Sequence, residues 1–298
     1  MRRAIDSSSI ACLQELATSE LKAYSGTSGV VDGRCPYQHP CDERAFELPK
    51  LRESRVVRRI LQEALFPQAQ RLLAFENCFM HPNAWVRAMP PEASPYSVAP
   101  AAHQDFVEIQ GSMECLTFWA PLFEVDASSG VLHVYRRPDP PRVLPMRLTD
   151  DSSNGWEVEP SFLVDEQAPR LSPGDVLCFD ALTPHGNAVN SSPYWRVSIE
   201  ARVQRMSESL AQSCLEPYSS MGNTSSVPKP GPKPPVREFD RTWENWREVE
   251  ALRQGERGDH WARRALEIVS EQSSRGDARV QASSILRWWR QQTDWEER

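Results

Sequence analysis

No apolar run in this chain of 298 residues approaches the roughly 20 residues that a membrane-spanning helix needs. There is no basic excess either: 34 Lys and Arg stand against 41 Asp and Glu, a net charge of −7. A general nucleic-acid binder must neutralise phosphates, so none is expected here. Cysteine is sparse and irregular. Seven is an odd number without regular spacing, which argues against a disulfide framework and suits a reducing cytoplasm. The start, Met1-Arg2-Arg3, is basic, but Ser and acidic residues follow at once, so it lacks the pattern of a signal peptide. No internal repeat of the solenoid kind is visible. What remains is ordinary for a globular protein: 40% hydrophobic and 25% charged residues, and length enough for one large domain plus an appendage.

The N-terminal part reads as helix. Over 7–24, Ile10, Leu13, Leu16 and Leu21 fall on a helical repeat, with serines to cap and Gly26 after the end. Residues 25–50 are rich in Gly, Pro, Cys and Asp without periodicity and read as loop. Within them, Cys35, His39 and Cys41 look like half of a zinc site, but paired spacings and a fourth ligand are missing. An ordinary loop is expected. A second amphipathic helix is predicted over 53–66, with Val56, Ile60, Leu61 and Leu65 inward and Pro67 ending it. Both helices are expected to pack on the outside of a sheet.

From 70 onward the pattern turns to strands: 71–75, 78–80 and 85–89, then a proline-rich loop over 90–101. Arg87 lies on a strand near the motifs below; it reads as a solvated edge charge, with contact to an anionic substrate group as the alternative, and the same two readings apply to Tyr96. Residues 114–122 are apolar on both faces, as a central strand should be. The next strand, 131–135, carries His133, read as a core or wall histidine; 138–173 reads mostly as loop. Strand 195–203 alternates cleanly. Arg196, Ser198, Glu200 and Arg202 share one face, and Val197, Ile199, Ala201 and Val203 share the other. Residues 204–221 read as helix followed by irregular chain, and 222–237 as a Pro/Lys/Ser linker. Three helices are predicted beyond it, near 241–253, 259–272 and 277–292. They have Trp stripes (Trp243, Trp246, Val249, Leu252; Trp261, Ala265, Ile268, Val269) that suit packing rather than a membrane surface.

The stretch that organises the chain is His103-Gln104-Asp105. On an extended strand, residues two apart point to the same side, so His103 and Asp105 share a face. A distant His185 can complete a two-histidine, one-carboxylate face of the kind that holds Fe(II) and leaves positions open. Alone the motif says little. With 6 His and 41 acidic residues in 298, chance supplies about 0.8 such pairs. The second half gives it weight: residues 171–198 read LSPGDVLCFDALTPHGNAVNSSPYWRVS, a Pro-Gly turn, an apolar strand, His185, and then Arg196 and Ser198.

These pieces resemble the phytanoyl-CoA dioxygenase family of Fe(II)/2-oxoglutarate oxygenases. HQD at 103–105, FWAPL at 118–122, GVLH from 130, SPGDVLCFD at 172–180, and His185 with Arg196 and Ser198 carry the likeness, over about 70–205. The resemblance implies a mainly β fold with flanking helices: a double-stranded β-helix, a jelly-roll or cupin-like barrel, to which the periodicity beyond the linker adds a C-terminal helical segment. It implies Fe(II) on His103, Asp105 and His185, and 2-oxoglutarate as cosubstrate held by Arg196 and Ser198, with Gln104 and Trp119 lining its pocket. It also implies O2 and a small-molecule substrate, oxidised at a C–H bond with release of succinate and CO2. Because Asp105 fills the position that halogenating relatives leave empty, hydroxylation foremost, or else desaturation, ring closure or deamination, is expected rather than halogenation. One segment departs. Where the family has Pro-Gly-Ser-His, this chain has Arg136-Arg137-Pro138-Asp139-Pro140 on what is the substrate side, so the substrate does not transfer.

The expected organisation is an oxygenase domain over 1–221, the linker over 222–237, and a helical extension over 238–298 that offers a surface for homo-oligomers. Two rivals stand beside it. One is a non-catalytic jelly-roll scaffold, which loss of a triad residue would favour. The other is a cupin-like metal enzyme that needs neither Arg196 nor Ser198.

Overall fold

In the computed structural model, the described residues are 1–81, 84–94, 101–109, 112–148, 156–208, 242–243, 263–273 and 276–290. Tyr96, the 222–237 linker, and Trp246, Val249, Leu252 and Trp261 of the expected C-terminal stripes lie outside them. No helix among the described residues is long and apolar enough to cross a membrane.

Helix α1 (Ser7–Ser25) starts where the Asp6 carboxylate accepts from the Ser8 and Ser9 amides, and stops at Gly26 in the left-handed region. A short helix, α2 (Pro49–Glu53), leads into α3 (Arg55–Leu73), which the Ser54 hydroxyl caps through the Val57 amide. Two expectations fail here. Pro67 lies inside α3 rather than at its end, and 71–73 is helix, not strand. The reason is the buried stripe Val57, Leu61, Leu65, Ala69 and Leu73, which recurs every fourth residue and continues past the proline. Burying Leu73, worth roughly 1.5–3 kcal/mol, helps offset a proline cost of about 3 kcal/mol. The same stripe leaves Val56 exposed and buries Val57 in its stead.

The strands are β1 (Cys35–Pro36), β2 (Cys78–Met80), β3 (Trp85–Met89), β4 (Leu116–Pro121), β5 (Leu132–Val134) and β6 (Met146–Leu148), followed by β7 (Trp156–Val158), β8 (Leu177–Asp180), β9 (His185–Asn187), β10 (Tyr194–Arg205) and β11 (Thr242–Trp243). All pairings among the described residues are antiparallel. The long β10 is the hub. It pairs with β1, β3 and β2 in turn along one side and with β4 along the other, and β4 pairs with β8. A separate ribbon is formed by β5 and β9, and a small sheet by β11, β6 and β7. The expected first C-terminal helix therefore meets a strand at Thr242–Trp243, while α5 (Arg263–Gln272) and α6 (Gly276–Arg290) follow the sequence reading.

The alternation along β10 divides the molecule. Val197, Ile199, Ala201 and Val203 join Val86, Ala88, Phe118 and Ala120 in one core cluster with the inner faces of α1 and α3. The helices thus cover one face of the large sheet, as expected from their periodicity. The opposite face turns Arg196, Ser198, Glu200 and Arg202 toward the β5–β9 ribbon, and the cavity lies there.

Candidate active site

His103 meets His185 backbone to backbone: each amide donates to the other's carbonyl, at 2.8 and 2.9 Å. This single bridge replaces the strand expected for the HQD motif. The chain turns directly afterwards into a one-turn helix, α4 (Asp105–Ile109), which carries Asp105 under the two rings. Asp105 Oδ1 lies 3.9 Å from His103 Nε2 and 3.7 Å from His185 Nε2. Each histidine's Nδ1 is hydrogen-bonded to a carbonyl, Ala101 O at 2.8 Å and Thr183 O at 3.0 Å. A ring nitrogen facing a carbonyl must carry the proton, so both Nε2 atoms present lone pairs on the Asp105 side. Among the described residues this is the one His/Cys/Asp/Glu group whose ligand atoms converge, all within 4.8 Å. The donor set, two neutral imidazoles and a carboxylate, fits a ferrous ion.

Asp105 is fully buried, and burial alone would raise its pKa. The charge of Arg202 is the largest effect opposing burial, and the carboxyl is held well below the usual range. Arg202 grips both oxygens, Nη2 to Oδ1 at 2.9 Å and Nε to Oδ2 at 3.3 Å. Thr117 Oγ1 donates to Oδ2 at 2.5 Å. Arg202 also reaches Glu200 at 3.2 Å and lies over the Trp85 ring, 5.3 Å from its centroid. The alternation put Glu200 and Arg202 on the inner face, but nothing local pointed to this network.

Arg196 is 1% exposed and has no acidic partner within ion-pair distance among the described residues. Its Nη1 donates to Ser198 Oγ at 2.5 Å, its Nη2 faces Met89 Sδ at 3.6 Å, and its Nε has no partner. The guanidinium lies over Trp119, 5.7 Å from the ring centroid. Burial, helped by the like charge of Arg87 and opposed by Glu200, pushes its pKa down to about 9. A buried cation of this kind is stabilised by an anion arriving from outside the chain.

One cavity, open at its mouth, unites these groups. His103, Asp105, His185, Arg196, Ser198 and Trp119 all line it, as do Trp85, Leu132, Asn187 and Arg87. Arg87, read from the sequence as a solvated edge charge, is half-buried on its wall. Gln104 does not line it. Its amide donates to Leu182 O and Arg142 O and accepts from Leu144 N, tying three backbone segments together away from the cavity. These hydrogen bonds, made by a fully buried amide, hold it inside the protein rather than in the cavity. His133, opposite Gly186 in the ribbon, faces away from the cavity and pairs with Glu166. The Cys35–Cys41 loop is ordinary: Cys41 Sγ donates to Tyr24 O and Cys35 is buried beside Thr27.

No family model matches the sequence, and no curated protein matches it. Solved structures do. The crystal structure of the epimerase SnoN in complex with Fe3+, alpha ketoglutarate and nogalamycin RO matches with a TM-score of 0.52 at 17% identity, over 81% of this chain and 91% of SnoN. The chain shares the SnoN fold. Looser likenesses are to EvdO2 from Micromonospora carbonacea var. aurantiaca complexed with 2-oxoglutarate (TM-score 0.46, 19% identity, 70% of this chain and 87% of that one). Another is to EctD from S. alaskensis with 2-oxoglutarate and 5-hydroxyectoine (TM-score 0.47, 18% identity, 70% and 71%).

Proposed function

We propose that this protein is an Fe(II)- and 2-oxoglutarate-dependent dioxygenase of the phytanoyl-CoA dioxygenase-like kind, built on a double-stranded β-helix, that oxidises a C–H bond of a small molecule. The observation that carries the reading is the convergence, in one cavity, of the His103/Asp105/His185 cluster and a buried guanidinium, Arg196, without an acidic partner. A scaffold has no use for either, and a metal enzyme of another kind has no use for Arg196. The SnoN structure, with iron and α-ketoglutarate on the same fold, supports the pairing.

In this reading His103, Asp105 and His185 hold iron through one face. Arg196 and Ser198 bind the distal carboxylate of 2-oxoglutarate, with Trp119 beneath the guanidinium. A planar fork of donors suits that role better than a lysine. The bound iron supplies oxidation of 2-oxoglutarate by O2 to succinate and CO2, coupled to removal of hydrogen from the substrate. The chain's part is to fix the tautomers, anchor the dianion and exclude bulk water. The odd number and irregular spacing of the cysteines fit a reducing cytoplasm.

The test is succinate release from 2-oxoglutarate under Fe(II) and O2, together with an anaerobic 2-oxoglutarate titration of the Fe(II)-loaded protein. Both should respond in the wild type and fail in His185→Ala. Titrations without a 2-oxoglutarate response would refute the reading. Because SnoN is an epimerase, the product screen must include isomers of unchanged mass beside products that gain an oxygen or lose two hydrogens.

A further inference from the structure

The cavity holds more positive charge than the proposed chemistry consumes. Among the described residues its ionisable lining, apart from the two histidines, is Arg87, Arg196, Arg202, Asp105 and Glu200, an excess of one positive charge. A ferrous ion and the 2-oxoglutarate dianion cancel, so the excess persists when both are bound. Two of the arginines are committed, Arg202 to Asp105 and Glu200, and Arg196 to Ser198 and, on the reading above, to the cosubstrate.

Arg87 is the third. It projects from β3 opposite Ser198, half-buried, and its guanidinium has no hydrogen-bond or ion-pair partner among the described residues. A second unused donor lines the same space: Asn187 Nδ2 is buried without a partner. A partly desolvated guanidinium beside another cation is unfavourable until an anion meets it, and a carboxylate matches its fork of donors. We propose that the primary substrate carries a carboxylate, and that Arg87, with Asn187 as second donor, binds it at the cavity wall. The proposal rests on the 2-oxoglutarate reading only in assigning Arg196 elsewhere. The chain's own residues carry the charge excess with or without cofactors. The competing arrangement is a side-chain rotation that pairs Arg87 with Glu200, its diagonal neighbour across the β3–β10 register.

The probes are matched carboxylates and primary amides, 4-phenylbutanoate against 4-phenylbutanamide and cyclohexanecarboxylate against its amide. Their binding is measured by ligand-observed NMR on the Fe(II)-loaded protein without O2, with and without 2-oxoglutarate. The wild type should bind the carboxylates at least tenfold more tightly than the amides. Arg87→Gln should erase that difference while its 2-oxoglutarate affinity stays within threefold of wild type, and Arg87→Lys should keep part of the difference. Equal binding of acid and amide by the wild type, or binding of neither, overturns the proposal. So does an Arg87→Gln variant that keeps the carboxylate preference, or that loses 2-oxoglutarate as fully as Arg196→Gln does. If the wild type ignores 2-oxoglutarate yet shows a carboxylate preference that Arg87→Gln abolishes, the oxygenase reading falls and this one stands.

Discussion

Arg202 is the residue on which the charges of the cavity depend. Asp105 and Glu200 are both held by it, and its side chain is 4% exposed. Arg202→Met removes the cation that pairs with both carboxylates, and removing one partner of a buried pair costs about 3–5 kcal/mol. The metal-free variant should therefore melt about 10 °C below wild type. A divalent ion beside Asp105 restores positive charge, so metal should raise the variant's Tm by more than it raises the wild type's. Equal metal shifts in scanning calorimetry would show that Arg202 does not carry that charge. Arg196→Ala should raise the 2-oxoglutarate requirement by about 10- to 100-fold, the value of a charge-assisted contact, while iron still binds. Its described contacts are Ser198, Met89 and Trp119, none of them a proposed metal ligand, so parallel titrations of iron and 2-oxoglutarate check both halves. The legibility of these two arginines differs for a physical reason. Arg196 lies in a local pattern with Ser198 and His185, whereas the Asp105–Arg202 pair spans 97 residues and leaves no periodic trace.

At the scale of elements, the two histidine segments are set by a close backbone approach. A Cβ on Gly186 would lie 3.0 Å from Ala102 N and 3.1 Å from Ala101 C, both backbone atoms that cannot swing aside. Ala101 also accepts the His103 ring hydrogen bond. Gly186→Ala should push this segment off β9, spread the Nε2 atoms and lower divalent-metal affinity at least tenfold with little change in far-UV dichroism. Unchanged metal titrations would mean that the segment shifts without moving its ring. Periodicity made β10 and α1 legible, because each has one face on the core, and β4 was legible as a short run apolar on both faces. The HQD segment was not legible as a turn into α4. A three-residue motif has no period, and its conformation is fixed by His185, far along the chain. Pro67 misled for the opposite reason, since a local breaker was overridden by a stripe extending beyond it.

For the whole molecule, acid should weaken the fold before it touches Asp105. His81 is buried with Nε2 2.9 Å from Gln204 Oε1, and burial lowers its pKa to about 4. The unfolded chain takes up that proton near pH 6.5, but the folded chain does not until about pH 4, so stability falls as pH drops through this window. Between pH 7 and pH 5 the loss is about 2 kcal/mol. Urea unfolding at the two pH values, compared with His81→Gln, should show a drop smaller by about that amount in the variant. No described residue of the C-terminal extension lines the cavity. Among the described residues, α5 and α6 pack chiefly on each other, and Thr242–Trp243 pairs with β6. Truncation after residue 225 should leave iron and 2-oxoglutarate affinity within threefold. A folded truncate that cannot bind iron would place the extension in the core.

Along β10, chemistry and scaffold are interleaved one residue at a time, with Arg196, Ser198, Glu200 and Arg202 between Val197, Ile199, Ala201 and Val203. For descent with modification, this arrangement separates two kinds of change. Replacement at an inner position alters what the cavity accepts and leaves the packed face as it was. A gain or loss of one residue within the strand exchanges the faces, sending guanidinium groups into the apolar core and valines into the cavity. New specificities can therefore arise on this strand by substitution, while its length is held fixed.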